Sequence, residues 1–270
     1  MNRFGVACGL LAALWCGSAS AQETKSKTDA KTEVKALAPS LKHLDGLPFV
    51  LVADGVGGST AAGDALKRVA REDHVPLVVW PIPWSRQGRA ALDLTDVEAH
   101  MTGAARIIDV VHCIRKECPR SSIILLGYSA GSHVVLLAAQ SIPEKNVDRV
   151  ILMGATVSSC YDLTVALKTA RFGIDSYWSD MDTVLEIAAD NFGTSDGQRG
   201  PCAGRVGFHV PKEVVEKNAA LFARLHQCKW TEGMGGFGGH YSYVRDTFVR
   251  RTLLPSLFVT ETVVETQRDK

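Results

Sequence analysis

The sequence has no excess of charge of either sign, no metal-ligand spacing and no internal repeat. Lys and Arg together number 30 against 29 for Asp and Glu, which excludes a broad basic face for nucleic acid or anionic lipid. The cysteine spacings match no zinc finger or ribbon, and neither a metal nor another cofactor is expected. The apolar run at residues 4–15 is shorter than the roughly 20 residues a membrane-spanning helix needs. A stretch at 191–210, rich in Gly and Pro, reads as a long loop too short for an elaborate lid. Nothing sets an oligomeric state.

What is present begins with a leader. Met1-Asn2-Arg3 is a cationic start, the apolar run follows, and Ala19-Ser20-Ala21 has the small-x-small form that a signal peptidase cuts. Residues 1–21 are therefore expected to be removed, leaving Gln22 first in an exported protein, periplasmic or secreted, with no lasting membrane anchor. Lipidation is disfavoured because bulky Trp15 precedes Cys16 and Cys8 lies too early. Residues 22–43, rich in Lys, Thr, Glu, Ser and Ala, predict a disordered tether, and 44–270 holds one domain. Loss of the leader leaves Cys113, Cys118, Cys160, Cys202 and Cys228. In an oxidising compartment that odd set predicts two disulfides and one remaining thiol, their pairing open.

Within the domain, short apolar runs recur at 48–53, 76–82, 122–127, 147–154 and 173–178, with a weaker one at 225–230. They do not alternate with polar residues, as expected of strands covered by helices on both faces. Helical spacing fills the intervals at 61–72, 96–116, 130–140, 163–170 and 183–189, and a last helix is expected over 243–257. This alternation predicts an α/β domain with a mostly parallel sheet of five or six strands, its ligand groups at the carboxyl ends.

Gly127-Tyr128-Ser129-Ala130-Gly131 falls where the strand at 122–127 meets a helix. Such a turn holds a serine in strained backbone, and glycines two before and two after let neighbouring backbone pass without a clashing Cβ. Strand, elbow and helix together resemble the alpha/beta-hydrolase superfamily, and the small size, the absence of a large lid and the Gly-Tyr-Ser elbow are similar to its cutinase-like and small esterase members.

The resemblance implies Ser129 as nucleophile, with an acid and then a histidine following it in the chain. His240, after Gly238-Gly239 and before the last helix, falls where that histidine loop lies; His133, His209 and His226 lack this position. Asp182 precedes Thr183-Val184 in the family's manner and is favoured as the acid, Asp180 remaining the alternative; Asp182 as a plain helix cap is the rival reading. For the oxyanion the resemblance implies the N–H of Ala130 and one from Asp54-Gly55-Val56-Gly57-Gly58, Val56 first and Gly57 as alternative. Asp54 stands where the family usually has histidine. A phosphate cradle in this loop is countered by the absence of a Lys-Ser/Thr ending and by Thr60 in place of a third glycine. Pro81-Ile82-Pro83-Trp84 is a candidate pocket wall.

The implied activity is cofactor-free cleavage of a carboxylic ester, from a small-molecule or lipid-like substrate, through an acyl-enzyme. A lipase, thioesterase, peptidase or acyltransferase would use the same groups. A non-catalytic ligand-binding protein would keep the pocket without the chemistry.

Overall fold

A computed structural model describes residues 41–86 and 90–258. The expected leader, and the tether up to residue 40, lie outside the described residues. Leu41, assigned to the tether, is instead part of the core: its side chain is buried and its carbonyl accepts a bond from the Cys118 thiol.

Six parallel strands form one sheet in the order β2-β1-β3-β4-β5-β6. They are β1 (Phe49–Ala53), β2 (Val78–Pro81), β3 (Ile123–Tyr128), β4 (Arg149–Met153), β5 (Ile174–Trp178) and β6 (Leu225–Lys229). Every residue of β1, β3 and β4 is buried, because apolar clusters cover both faces of the sheet. One cluster packs beneath α3 (Val97–Glu117), α4 (Gly131–Ser141) and α5 (Thr164–Thr169), which follow α1 (Ala61–Glu72) and the short α2 (Ala90–Asp93) in the chain. The other packs beneath α1 and the carboxyl-terminal helical segment. From β1 the chain runs outward to β2, then returns to place β3 on the other side of β1. Loops leaving β1 and β3 therefore diverge, and a crevice opens above their carboxyl ends, where open α/β sheets bind ligands.

Helix starts follow from their caps. The Asp96 side chain accepts the Ala99 N–H at 3.0 Å to begin α3, and Asp182 accepts the Leu185 N–H at 3.1 Å to begin α6 (Thr183–Phe192). The last helix departs from expectation. It is broken into a 3-10 turn at His240–Val244, a helical turn at Asp246–Phe248, a π-helical turn at Val249–Leu253 and a closing turn at Leu254–Ser256. Pro255 has no N–H and its ring would strike the carbonyl of residue 251 in a regular α-helix, and the wider π turn relieves that clash. The 191–210 stretch forms no lid: Thr194 and Ser195 are buried, and Thr156 Oγ1 donates to Ser195 Oγ at 2.8 Å.

The expected disulfides are not formed among the described residues. Cys118 and Cys202 are buried on separate elements, where their thiols donate to the carbonyls of Leu41 and Thr156, while Cys160 is exposed. Burial pushes the Cys202 thiol up to about 12, so it behaves as a small neutral core group.

The crossing of β1 and the elbow sets the tightest packing demand. A Cβ on Gly131 would stand 1.9 Å from the Ala53 carbonyl oxygen, which is backbone and cannot swing aside. Gly131→Ala is expected to lower unfolding stability by about 3 kcal/mol or to prevent folding, measured by urea denaturation. A loss under about 0.5 kcal/mol would contradict the packing described.

Candidate active site

Ser129 ends β3 with φ of +54°, a left-handed conformation that side chains rarely adopt. Its N–H donates to the Met153 carbonyl at 2.9 Å, which ties the strained residue to β4. Both flanking glycines are required by close approach. A Cβ on Gly127 would lie 2.6 Å from the Ser132 Cα, and Gly131 meets Ala53 as above. The turn thus lifts the serine hydroxyl above the sheet at the amino end of α4.

Three side chains distant in sequence meet there. His240 Nε2 lies 3.0 Å from Ser129 Oγ, and His240 Nδ1 lies 2.8 Å from Asp182 Oδ2. All three residues are buried. The two readings of Asp182 hold together: Oδ1 caps α6 while Oδ2 faces the imidazole. Asp180 points elsewhere, exposed and 2.7 Å from Lys229 Nζ. The His240 ring is held further by Tyr128, which stacks on it at 5.1 Å and whose hydroxyl donates to the His240 carbonyl at 3.0 Å. Burial raises the Tyr128 pKa well above its ordinary value, so it remains a neutral donor.

The loop after β1 is fixed by bonds to the side chains of Asp54, Asp93 and Ser85. The Asp54 carboxylate accepts the N–H groups of Ala62 and Gly63 at the start of α1, that of Gly55, and the Ser59 hydroxyl. Asp54 therefore builds the loop from within instead of facing the serine. Gly57 N–H donates to Asp93 Oδ2 at 2.8 Å and Gly58 N–H to Ser85 Oγ at 2.5 Å. Of the four amides from Gly55 to Gly58, only the Val56 N–H has no partner among the described residues, and the Ala130 N–H at the elbow has none either. The chain at Gly55 passes close to the serine, since a Cβ there would be 3.6 Å from Ser129 Cβ. Asp93 carried no signal of its own in the sequence, being one carboxylate in a short polar stretch.

A cavity of about 150 Å³ at the serine is lined by Gly55, Val56, Ser59, Tyr128, Ser129, His240 and Tyr241. Pro81, Ile82, Pro83 and Trp84 do not line this cavity but an adjoining cleft of about 300 Å³ that shares Gly55 and Ser59 with it. Trp84 is buried, and its Nε1–H donates to the Asp54 carbonyl at 2.8 Å.

Of the other histidines, His226 lies on β6 with Nδ1 2.7 Å from Asp175, which also pairs with Arg149. His133 is buried against His100, their Nδ1 atoms 3.0 Å apart. Among the described residues no group of His, Cys, Asp and Glu could hold a metal ion.

An open parallel sheet with a strained serine at the elbow after β3 is the architecture of the alpha/beta-hydrolase fold. The Cutinase family profile matches residues 85–184, a stretch that holds Ser129 and Asp182 and ends before His240. No curated protein matches the chain. Among solved structures, a lidless alpha/beta serine hydrolase from Xanthomonas campestris aligns at 15% identity over 78% of this chain and 81% of that one, TM-score 0.44. A cutinase-like protein from Cryptococcus sp. aligns at 15% identity over 75% and 89% of the two chains, TM-score 0.39. Trichoderma reesei cutinase, solved with a phosphonate inhibitor, aligns at 17% identity over 72% and 87%, TM-score 0.36. These likenesses carry nothing about substrate.

Burial first, and then the neighbouring His100, push the His133 pKa down to about 4. An unfolded histidine titrates near about 6.5, so the native chain takes up its proton later than the unfolded chain does as pH falls. That contribution to stability is complete above about pH 6.5 and is lost as pH falls toward about 4, amounting to about 3 kcal/mol. Urea unfolding across this range should show the decline, and His133→Gln should lack that portion; an unchanged slope would place the ring in water.

Proposed function

We propose that the chain is a serine hydrolase that cleaves carboxylic esters through an acyl-enzyme on Ser129, with His240 as base and Asp182 as its orienting acid. The observation that supports this most is the unbroken chain Ser129 Oγ, His240, Asp182 at 3.0 and 2.8 Å. In this reading His240 Nε2 takes the hydroxyl proton as Oγ bonds to the ester carbonyl carbon. The oxyanion accepts from the Ala130 and Val56 N–H groups, aided by the amino end of α4. Collapse breaks the bond to the alcohol oxygen, which leaves with the proton from His240. Water then attacks the acyl-enzyme by the same route and frees the acid. The elements of the site call for no cofactor.

The small volume of the cavity at the serine, about 150 Å³, favours a short acyl group. A fluorophosphonate probe should label Ser129, and Ser129→Ala should abolish both labelling and turnover. Asp182→Asn should lower kcat on the order of a thousandfold or more, and Asp180→Asn, in an exposed pair with Lys229, should leave it near wild type. Acetyl to butyryl esters should be cleaved faster than octanoyl or palmitoyl ones. Labelling without hydrolysis of any ester, thioester or amide would favour the non-catalytic reading; a mild Asp182→Asn would remove the acid assignment.

Export belongs to the same proposal, supported by the leader-like residues 1–21. No helix among the described residues is long and apolar enough to cross a membrane. Amino-terminal sequencing of protein recovered outside the cytoplasm should begin at Gln22; an intact Met1 there would refute cleavage.

A further inference from the structure

The oxyanion loop is held in place by a residue that touches neither the serine nor the cavity. Asp93 is 1% exposed, and its two carboxylate oxygens each accept a main-chain N–H: Oδ2 from Gly57 at 2.8 Å and Oδ1 from Arg86 at 3.0 Å. Gly57 and Gly58 have φ of +74° and +76°, so this loop uses backbone angles open to glycine, and its peptide planes have few steric restraints of their own. A peptide plane is rigid, and anchoring the Gly57 N–H fixes the plane that also carries the Val56 carbonyl. The Val56 N–H one plane earlier is then the amide left to face Ser129.

Asp93 is itself tethered to the elbow. Its carbonyl can only accept, so His100 Nε2, 2.8 Å away, carries a hydrogen and donates to it. His100 Nδ1 faces His133 Nδ1 at 3.0 Å, and burial pushes both pKa values down. His133 stands on α4, whose start presents the Ala130 N–H. A continuous chain of contacts therefore joins the two open amides: α4, His133, His100, Asp93, Gly57, Val56. Trp84 packs edge-on against His100, and Tyr161 edge-on against His133.

We propose that Asp93 is a positioning residue of the oxyanion hole, and that the buried His133–His100 pair sets its distance from the elbow. The proposal rests on the esterase reading above. It requires that loss of Asp93 weaken stabilisation of the tetrahedral intermediate without disturbing the Ser129–His240–Asp182 chain or ground-state binding.

The test uses the whole enzyme, a short-chain ester and a trifluoromethyl ketone, which forms a tetrahedral adduct with an activated serine. Wild type must first hydrolyse the ester; if it does not, the esterase reading fails and the positioning role is not what has been refuted. Given wild-type activity, Asp93→Asn replaces one acceptor by a donor facing an N–H. It should lower kcat about 10- to 100-fold, with KM within about twofold, and weaken ketone binding by the same factor. The pH at which activity half-appears should stay where it is in wild type. A folded Asp93→Asn with wild-type kcat and ketone affinity, or one changed only in KM, overturns the proposal. If Asp93→Asn does not fold, His100 decides: His100→Phe should lower kcat and ketone affinity together, and His100→Gln, whose amide can still donate to the Asp93 carbonyl, should restore both. Equal values for Phe and Gln overturn it.

Discussion

The Gly131 α-carbon passes over the Ala53 carbonyl with no room for a Cβ, and the rest of the site depends on this passage. No side chain fits there, so the elbow can cross β1 at this height only with glycine at that position. The crossing forces β3 to lie directly beside β1, the point at which the sheet's strand order reverses. That neighbourhood is what brings the loop after β1 close to Ser129, since a Cβ on Gly55 would stand 3.6 Å from the Ser129 Cβ. Strain at the serine, at φ of +54°, is local to this crossing and is balanced by the surrounding packing of wholly buried β1, β3 and β4.

Electrostatics divide the site into two carboxylate systems of different character. Asp182 faces the histidine, whereas Asp54 accepts from the loop and the start of α1, and Asp93 from Gly57 and Arg86. For Asp54, burial raises the pKa, opposed by bonds from Gly63, Ala62, Gly55 and Ser59. These bonds are the reason a carboxylate can occupy the place where related folds use histidine: it serves the helix start and the turn, and its charge is directed away from the reacting centre. Trp84 completes this frame by donating to the Asp54 carbonyl.

The strands were legible because parallel strands buried on both faces read as dense apolar runs such as Phe49–Ala53 and Ile123–Tyr128, and α1 was legible from its helical spacing. The elbow was legible because strand, glycine, serine, glycine and helix stand next to each other in the chain. What was not legible depended on contacts between distant segments. Asp93 gains meaning only when Gly57 lies 2.8 Å away, and the His100–His133 pair only when α3 packs on α4. The expected final helix is interrupted at Arg245, whose backbone is extended (φ −80°, ψ 141°), a break that periodicity does not register. The disulfide expectation came from compartment and parity alone, with no account of where each thiol would be buried.

The double engagement of Asp182 has a consequence for the disorder of the site. A carboxylate bonded at one oxygen can rotate and sample several poses, but this one is pinned at Oδ1 by the first turn of α6 and at Oδ2 by the imidazole. The rotational freedom of the acid is therefore surrendered when α6 forms, once in the life of the folded chain, and none of it has to be given up again in each encounter with substrate.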